Sequence, residues 1–404
     1  MKKILSVLFA LITILIFISC VGENNKLESK EEKLNEESKE KKDKIQILID
    51  NMTLQEKIGQ LLIVGFDGIT LDDNITNLIR NKYIGGVIFF RNNIDSLTGV
   101  VNLVNQFKEI NRGNKVPLFI SVDEEGGVVS RVPQEFKKLP SASYVGSFNS
   151  EEICYKEGEI IANELKLMGY NMDYAPVLDI LSNSQNTVIG NRAFGEISEV
   201  VSNLAVEVMK GIQDNEVIPV VKHFPGHGDT TLDSHYGLPL VEKTLDELKS
   251  LEFIPFENAI KNGADAIMIS HILLKNVDSE NPATMSKVIV SNILRESMGF
   301  KGVVITDDMT MGAITQNYDI GEASVKAIEA GVDIVLVCHG YDNEMKVINS
   351  IEEAVASEVI SEERINESVY RILYLKDKYN LNSDNISEVY DIESINTKIE
   401  ELFD

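Results

Sequence analysis

Basic residues are scarce in this 404-residue chain, where 38 lysines and arginines face 64 aspartates and glutamates for a formal charge of −26. Such a surface repels a phosphate backbone instead of gathering it, which excludes nucleic-acid binding. Cysteine is scarcer still. Cys20, Cys154 and Cys338 are too few and too scattered for a disulfide framework or a zinc cluster. What remains is ordinary: 44% hydrophobic and 25% charged residues exclude a mainly disordered or fibrous chain. The length has room for two or three domains, or for one barrel of about 250 residues with extensions.

The first twenty residues read as an address. Lys2 and Lys3 precede an apolar run from Ile4 to Ile18, and Ser19-Cys20 follows, in the order of a bacterial secretory signal. A small residue directly before Cys20 looks like a lipobox, in which the cysteine is lipidated and becomes the mature N-terminus; Phe17 stands where an aliphatic residue is more usual. An uncleaved anchor helix with an incidental cysteine is the alternative. On the first reading residues 1–19 are a signal peptide and the N-terminal lipid holds the protein to the cell membrane, facing the extracytoplasmic side. From Val21 to Lys44 the chain is mostly Glu and Lys, with hardly an apolar side chain to offset its ordering entropy. Residues 20–45 are therefore expected to be a charged tether, spanning about 25–30 Å on average.

Beyond the tether, short apolar runs alternate with amphipathic segments, which is the pattern of βα units. Candidate strands are Leu61 to Phe66, Gly86 to Phe90, Leu118 to Asp123, Met172 to Leu178, Ile218 to His223, Ala266 to His271, Val303 to Asp307 and Val332 to Cys338. Their near-continuous Val, Ile and Leu suit a parallel sheet covered on both faces. Helical patterns lie between them, among them Glu151 to Met168, Glu199 to Asp214 and Ile320 to Ala330. Eight such units predict an α/β fold, a (β/α)8 TIM-type barrel, in preference to an open doubly wound sheet. Barrels place their chemistry at the carboxyl ends of the strands. Polar residues collect there: Asp123-Glu124-Glu125, Lys222-His223, Ser270-His271 and Asp307-Asp308.

Three of the five histidines fall between His223 and His235. A metal site of His223, His227, Asp233 and His235 is disfavoured, because Pro225 and Gly226 break any helix that would align an i, i+4 pair and no ligand set has zinc spacing. Neither a metal nor an organic cofactor is expected. The other reading is a loop that leaves the fifth strand and carries Asp233 and His235 at i, i+2. In an extended segment both would point to one side, so the carboxylate would fix the imidazole's tautomer and raise its pKa, as an acid/base pair requires. Two loop residues that merely satisfy each other remain the alternative. At Asp307-Asp308, side-chain alternation lets only one carboxylate face the barrel axis as a candidate nucleophile. The other turns toward the helix layer or a neighbouring loop, and Asp308 could cap a helix.

Lys222-His223-Phe224-Pro225-Gly226-His227-Gly228, Asp233-Ser234-His235 and Ile305-Thr306-Asp307-Asp308 together resemble the β-N-acetylglucosaminidases of glycoside hydrolase family 3, of the bacterial type that trims cell-wall fragments. The resemblance runs over about residues 46–380, leaving 381–404 as a polar, acidic tail. It implies a barrel catalytic domain. Many other members add an αβα sandwich that supplies a carboxylate acid/base; about 25 residues cannot hold one, so the proton donor is expected within the barrel.

Carried over residue by residue, the resemblance makes Asp307 the nucleophile, His235 the acid/base and Asp233 its orienting partner. Asp123, Arg192, Lys222 and His223 match positions that hold sugar hydroxyls and the acetamido group; His271, at another strand end, is expected to line the same site, with a core histidine as the alternative. His339 reads as a loop residue. Val128 and Val129 precede Arg131 where several relatives follow Glu-Gly-Gly directly with arginine, and the chain has no tryptophan to stack on a sugar ring. That absence suits a small pocket at a glycan end better than a long cleft.

The implied function is an exo-acting, retaining β-N-acetylglucosaminidase that works through a covalent glycosyl-aspartate, on muropeptides or other glycans ending in N-acetylglucosamine. Two alternatives are a β-N-acetylglucosaminide phosphorylase, since a neutral histidine does not repel phosphate, and a sugar-binding lipoprotein without catalysis. Should His235 not be the acid, Glu124, Glu125 and Asp308 are the remaining candidates.

Overall fold

A computed structural model describes residues 39–230, 233–386 and 391–403. The expected signal peptide, Cys20 and most of the expected tether lie outside the described residues. The chain divides into two compact units, residues 1–51 and 52–404. In the first, residues 39–50 form a helix. The expected tether thus ends earlier than residue 45, because Glu40 and Lys44 pair at i, i+4 and Ile45, Leu48 and Ile49 continue a helical apolar spacing.

The second unit is built on eight parallel strands closed into a barrel. They are β1 (Leu62–Val64), β2 (Gly86–Phe89), β3 (Phe119–Val122), β4 (Met172–Asp173), β5 (Ile218–Phe224), β6 (Ala266–Ile269), β7 (Val303–Asp308) and β8 (Ile334–Val337). Each pairs with the next, and β8 returns to β1 with Leu62 opposite Val335. This is the (β/α)8 architecture expected from the pattern. The largest departure is β4, which keeps only two of its expected residues. Pro176 has no N–H to give the ladder, and pairing resumes beyond it through a Val177–Lys222 bridge and the Leu178 N–H on the Lys222 carbonyl (2.6 Å).

Helices between the strands start and stop where the side chains dictate. Ser150 caps Glu151–Met168 and Asp319 caps Ile320–Ala330; left-handed Gly169 and Gly331 end them. At the amino end of the barrel the charged groups hold structure together. Buried Asp333 accepts from Arg295 (2.5 Å), Arg371 (3.0 Å), Ser368 (2.7 Å) and the Val304 N–H (3.0 Å). Lys376 donates to Gln60, Gly85 and Pro117, so both groups tie helix Glu362–Lys378 to the strand starts.

The expected acidic tail contains a further helix, Ile392–Phe403, with Ile395 and Ile399 buried. Its apolar residues recur at helical spacing, which outweighs the acidic character of the segment. Asn396 fixes it by accepting from the Lys137 N–H (2.7 Å) and donating to the Glu135 carbonyl (3.0 Å).

Candidate active site

A pocket of about 360 Å³ opens at the carboxyl end of the strands. Asp307 comes into it from the end of β7, partly exposed to the cavity. One carboxylate oxygen accepts the Asp308 N–H (2.8 Å). Burial pushes this carboxyl upward, but the rings of His271, His223 and His227 and that N–H more than offset it, holding Asp307 below the ordinary aspartate range. It is an anionic group facing the cavity, as a nucleophile requires.

Asp308 turns its carboxylate toward a neighbouring loop, as expected, yet it also borders the pocket. The register of β7 against β8 shifts between Ile334 and Leu336, and this irregularity leaves Asp308 on the pocket wall beside Asp307. Its oxygens are committed, accepting the Thr310 and Cys338 N–H groups (2.9 and 3.0 Å) and the Thr310 hydroxyl. It caps no helix; it staples the end of β7 to the end of β8.

The same pocket is lined by a network of four charges. Lys222 on β5 is 1% exposed, donates to Asp123 (2.6 Å) and pairs with Glu125 (2.6 Å). Arg192 grips both oxygens of Glu125 through Nε and Nη2 (2.8 and 2.7 Å). Burial alone would push Lys222 down and Glu125 up, yet each is driven the other way by its partners. These groups present fixed charge-assisted donors and acceptors to a polar ligand. Glu125 was expected only as an alternative proton donor; its ion pairs with Lys222 and Arg192 place it in the binding network instead, a role that its i, i+2 spacing from Asp123 at a strand end could have signalled.

Neutralising Glu125 should be costly. Glu125→Gln leaves Lys222 and Arg192 buried with one compensating charge fewer, and a loss of about 3–5 kcal/mol in unfolding free energy is expected at neutral pH. Because the folded carboxyl lies well below its unfolded value, its contribution is full above pH ~4.3, begins to decline there, and is lost only as pH falls on through the much lower folded value. Denaturant titrations of the two proteins at pH 7, about pH 4 and about pH 2.5 should show a gap that is nearly intact at the second value and clearly narrower at the third.

His223 and His227 are held by Asp179, a residue the sequence pattern did not single out because it follows Leu178, the last residue of the fourth apolar run. Asp179 accepts from His223 Nδ1 (2.6 Å) and from the His227 backbone N–H (2.6 Å). With Nδ1 engaged, Nε2 of His223 is the atom left for a ligand. The His227 ring lies between the Thr230 and Ser234 hydroxyls (2.9 and 3.2 Å). Among the described residues no group of three or more His, Cys, Asp or Glu is placed to hold a metal ion.

Asp233 and His235 form the expected pair, but within a turn and not along an extended segment: Tyr236 N–H returns to the Asp233 carbonyl (3.0 Å). One Asp233 oxygen accepts both the His235 N–H (2.9 Å) and Nδ1 (2.7 Å). Partial burial raises the Asp233 carboxyl, and these His235 contacts bring it below its ordinary value. Nδ1 is thereby fixed as the donor nitrogen, and Nε2 is free for an incoming oxygen. The imidazole is exposed and borders the pocket.

His271 does not line the pocket. It is fully buried, with Nδ1 against Thr284 (2.7 Å) and Nε2 donating to the Asp308 carbonyl (3.0 Å), so it supports the β7 terminus from behind. His339, expected as a loop residue, does border the pocket and lies 5.0 Å from the Phe90 ring. Glu124 is an unsuitable proton donor. It is 1% exposed, outside the pocket wall, and accepts the Arg131, Val132 and Gly126 N–H groups.

Residues 53–375 match the N-terminal domain of glycosyl hydrolase family 3. The chain is 32% identical over 302 residues to a β-hexosaminidase of Xylella fastidiosa, covering 73% of this chain and 87% of that protein. It is 32% identical over 337 residues to β-hexosaminidase A of Pseudoalteromonas piscicida, but this match covers 76% of the chain and only 56% of the relative's length. A family 3 β-N-acetylglucosaminidase from Paenibacillus sp. superposes with a TM-score of 0.82 at 39% identity, over 87% of this chain and 68% of that one. Barrel, strand-end carboxylates and sequence likeness agree, and the chain belongs to glycosyl hydrolase family 3.

Proposed function

We propose that this chain is a retaining exo-β-N-acetylglucosaminidase. The observation that carries the reading is the convergence on one pocket of an anionic Asp307 and an imidazole whose Nδ1 is tied to Asp233. Asp307 attacks the anomeric carbon as His235 Nε2 gives its proton to the departing oxygen. His235 then takes a proton from water, which releases the sugar with its configuration retained. Asp123, Arg192, Lys222 and His223 hold the hydroxyls and acetamido group, and the size of the pocket suits one terminal sugar.

The test is turnover of a chromogenic β-N-acetylglucosaminide against the matching β-glucoside, with and without inorganic phosphate. Release of free N-acetylglucosamine, well above the glucoside rate and indifferent to phosphate, is expected. Sugar phosphate as product would make the chain a phosphorylase, and no turnover would leave a binding protein.

The substrates proposed are peptidoglycan fragments or related glycans met outside the cytoplasmic membrane, with the enzyme anchored by lipid at Cys20. The order Lys2-Lys3, apolar run, Ser19-Cys20 supports this anchoring. One fatty chain binds a bilayer only marginally, so multiple acylation is required. Cys20→Ala should move activity from the membrane fraction to the soluble one, or leave an unprocessed precursor. A mature N-terminus at any other residue would contradict the assignment.

A further inference from the structure

Between Phe224 and Leu240 the described chain has no helix or strand of its own, and the His235 side chain is 65% exposed. An imidazole there needs external restraints to stay directed at a leaving group beside Asp307. They come from two sides. On one, Asp179 holds the His227 backbone, and the His227 ring meets the hydroxyl of Ser234, the residue between the two members of the pair. His227 and Ser234 are each 2% exposed, so water has little access to this contact, although both residues also border the pocket beside His235. On the other, the Ser234 and His235 carbonyls accept the Ala313 and Gly312 N–H groups (3.0 and 3.3 Å), at the start of the short helix Gly312–Thr315 that follows Asp307.

Two glycines permit this seating. A Cβ on Gly228 would run into the Ile180 carbonyl, and one on Gly312 would lie 2.5 Å from the His235 carbonyl oxygen. Burial and the neighbouring His223 hold His227 below its ordinary pKa, and a neutral ring has one donor and one acceptor for the two hydroxyls beside it.

We propose that Asp179, His227 and Ser234 are a positioning relay that, with the Gly312 anchor, holds the Asp233–His235 turn in its working place. The proposal rests on His235 being the acid/base. None of the three relay residues exchanges a proton with substrate; they act through the orientation of His235. Asp179 also orients His223, so one buried carboxylate sets both a sugar-binding ring and the acid/base turn.

Ser234→Ala is the cleanest probe, because it removes a single hydroxyl from beneath the turn. A misplaced acid costs most when the leaving group needs its proton. We expect kcat/KM on a β-linked N-acetylglucosamine disaccharide to fall about 10- to 10²-fold, with a loss under about threefold on a dinitrophenyl glycoside. Gly312→Ala, which displaces the turn from its other anchor, should give the same selectivity. In a His235→Ala background Ser234→Ala should change neither rate further, since the two substitutions act through one group. Equal losses on both substrates, or a further loss in that background, would overturn the relay and leave the acid/base reading standing. A His235→Ala enzyme without leaving-group selectivity would overturn both.

Discussion

Asp307→Asn should lose about 10⁴-fold or more in kcat with every leaving group, because on the proposed mechanism the substitution removes the group that forms the bond to the anomeric carbon. At about 1.4 kcal/mol per factor of ten, this is some 5–6 kcal/mol of barrier. Asparagine has nearly the shape of aspartate and can still accept the Asp308 N–H, so the thermal midpoint should change little and binding of N-acetylglucosamine should survive. Asp308→Asn differs in kind. Its partners are Thr310 and the Cys338 N–H, and an amide oxygen keeps part of that staple, so the loss should be smaller and accompanied by lower thermal stability. Both variants read in a single-turnover assay separate bond formation from support of the β7 terminus.

His235→Ala should show its effect in the comparison of substrates. General-acid assistance contributes about 10²- to 10⁴-fold, and a sugar alcohol needs it while an acidic phenol departs without it. The variant should lose that range on a disaccharide and far less in the glycosylation step with an activated aryl glycoside. Asp233→Ala should give a weaker form of the same selectivity, because the imidazole remains but its Nδ1 has lost the acceptor 2.7 Å away. Equal losses on both substrates would mean that His235 only shapes the turn. Of the other carboxylic acids considered, Glu124 is buried outside the pocket and Glu125 is ion-paired to Lys222 and Arg192, which leaves Asp308 as the donor to test next.

The barrel was legible because its strands are apolar on both faces and its helices carry caps, so local pattern and tertiary packing agree. Strand ends also announced Asp123, Lys222, His223 and Asp307. Where the sequence misled, a local irregularity or a partner distant in sequence was responsible. Pro176 cut β4 short, and the shift in β7 put Asp308 on the pocket wall. His271 shares the strand-end position of His223, yet Thr284 and the Asp308 carbonyl consume both its nitrogens. The Asp233–His235 pair was found by spacing, although a turn and not strand alternation brings it together. Asp179 could not be foreseen, since its importance lies in two histidines 44 and 48 residues away.

The proposed mechanism passes through a covalent bond between the sugar and Asp307. Its most direct test is mass spectrometry of the enzyme after reaction with a 5-fluoro N-acetylglucosaminyl fluoride, which leaves its fluoride readily but slows release of the glycosyl enzyme. A single adduct is expected, and fragmentation of the labelled peptide should place it on Asp307. An adduct on Asp308 would contradict the assignment, and so would the absence of any adduct in an enzyme that a thiazoline mimic of the acetamido intermediate inhibits tightly.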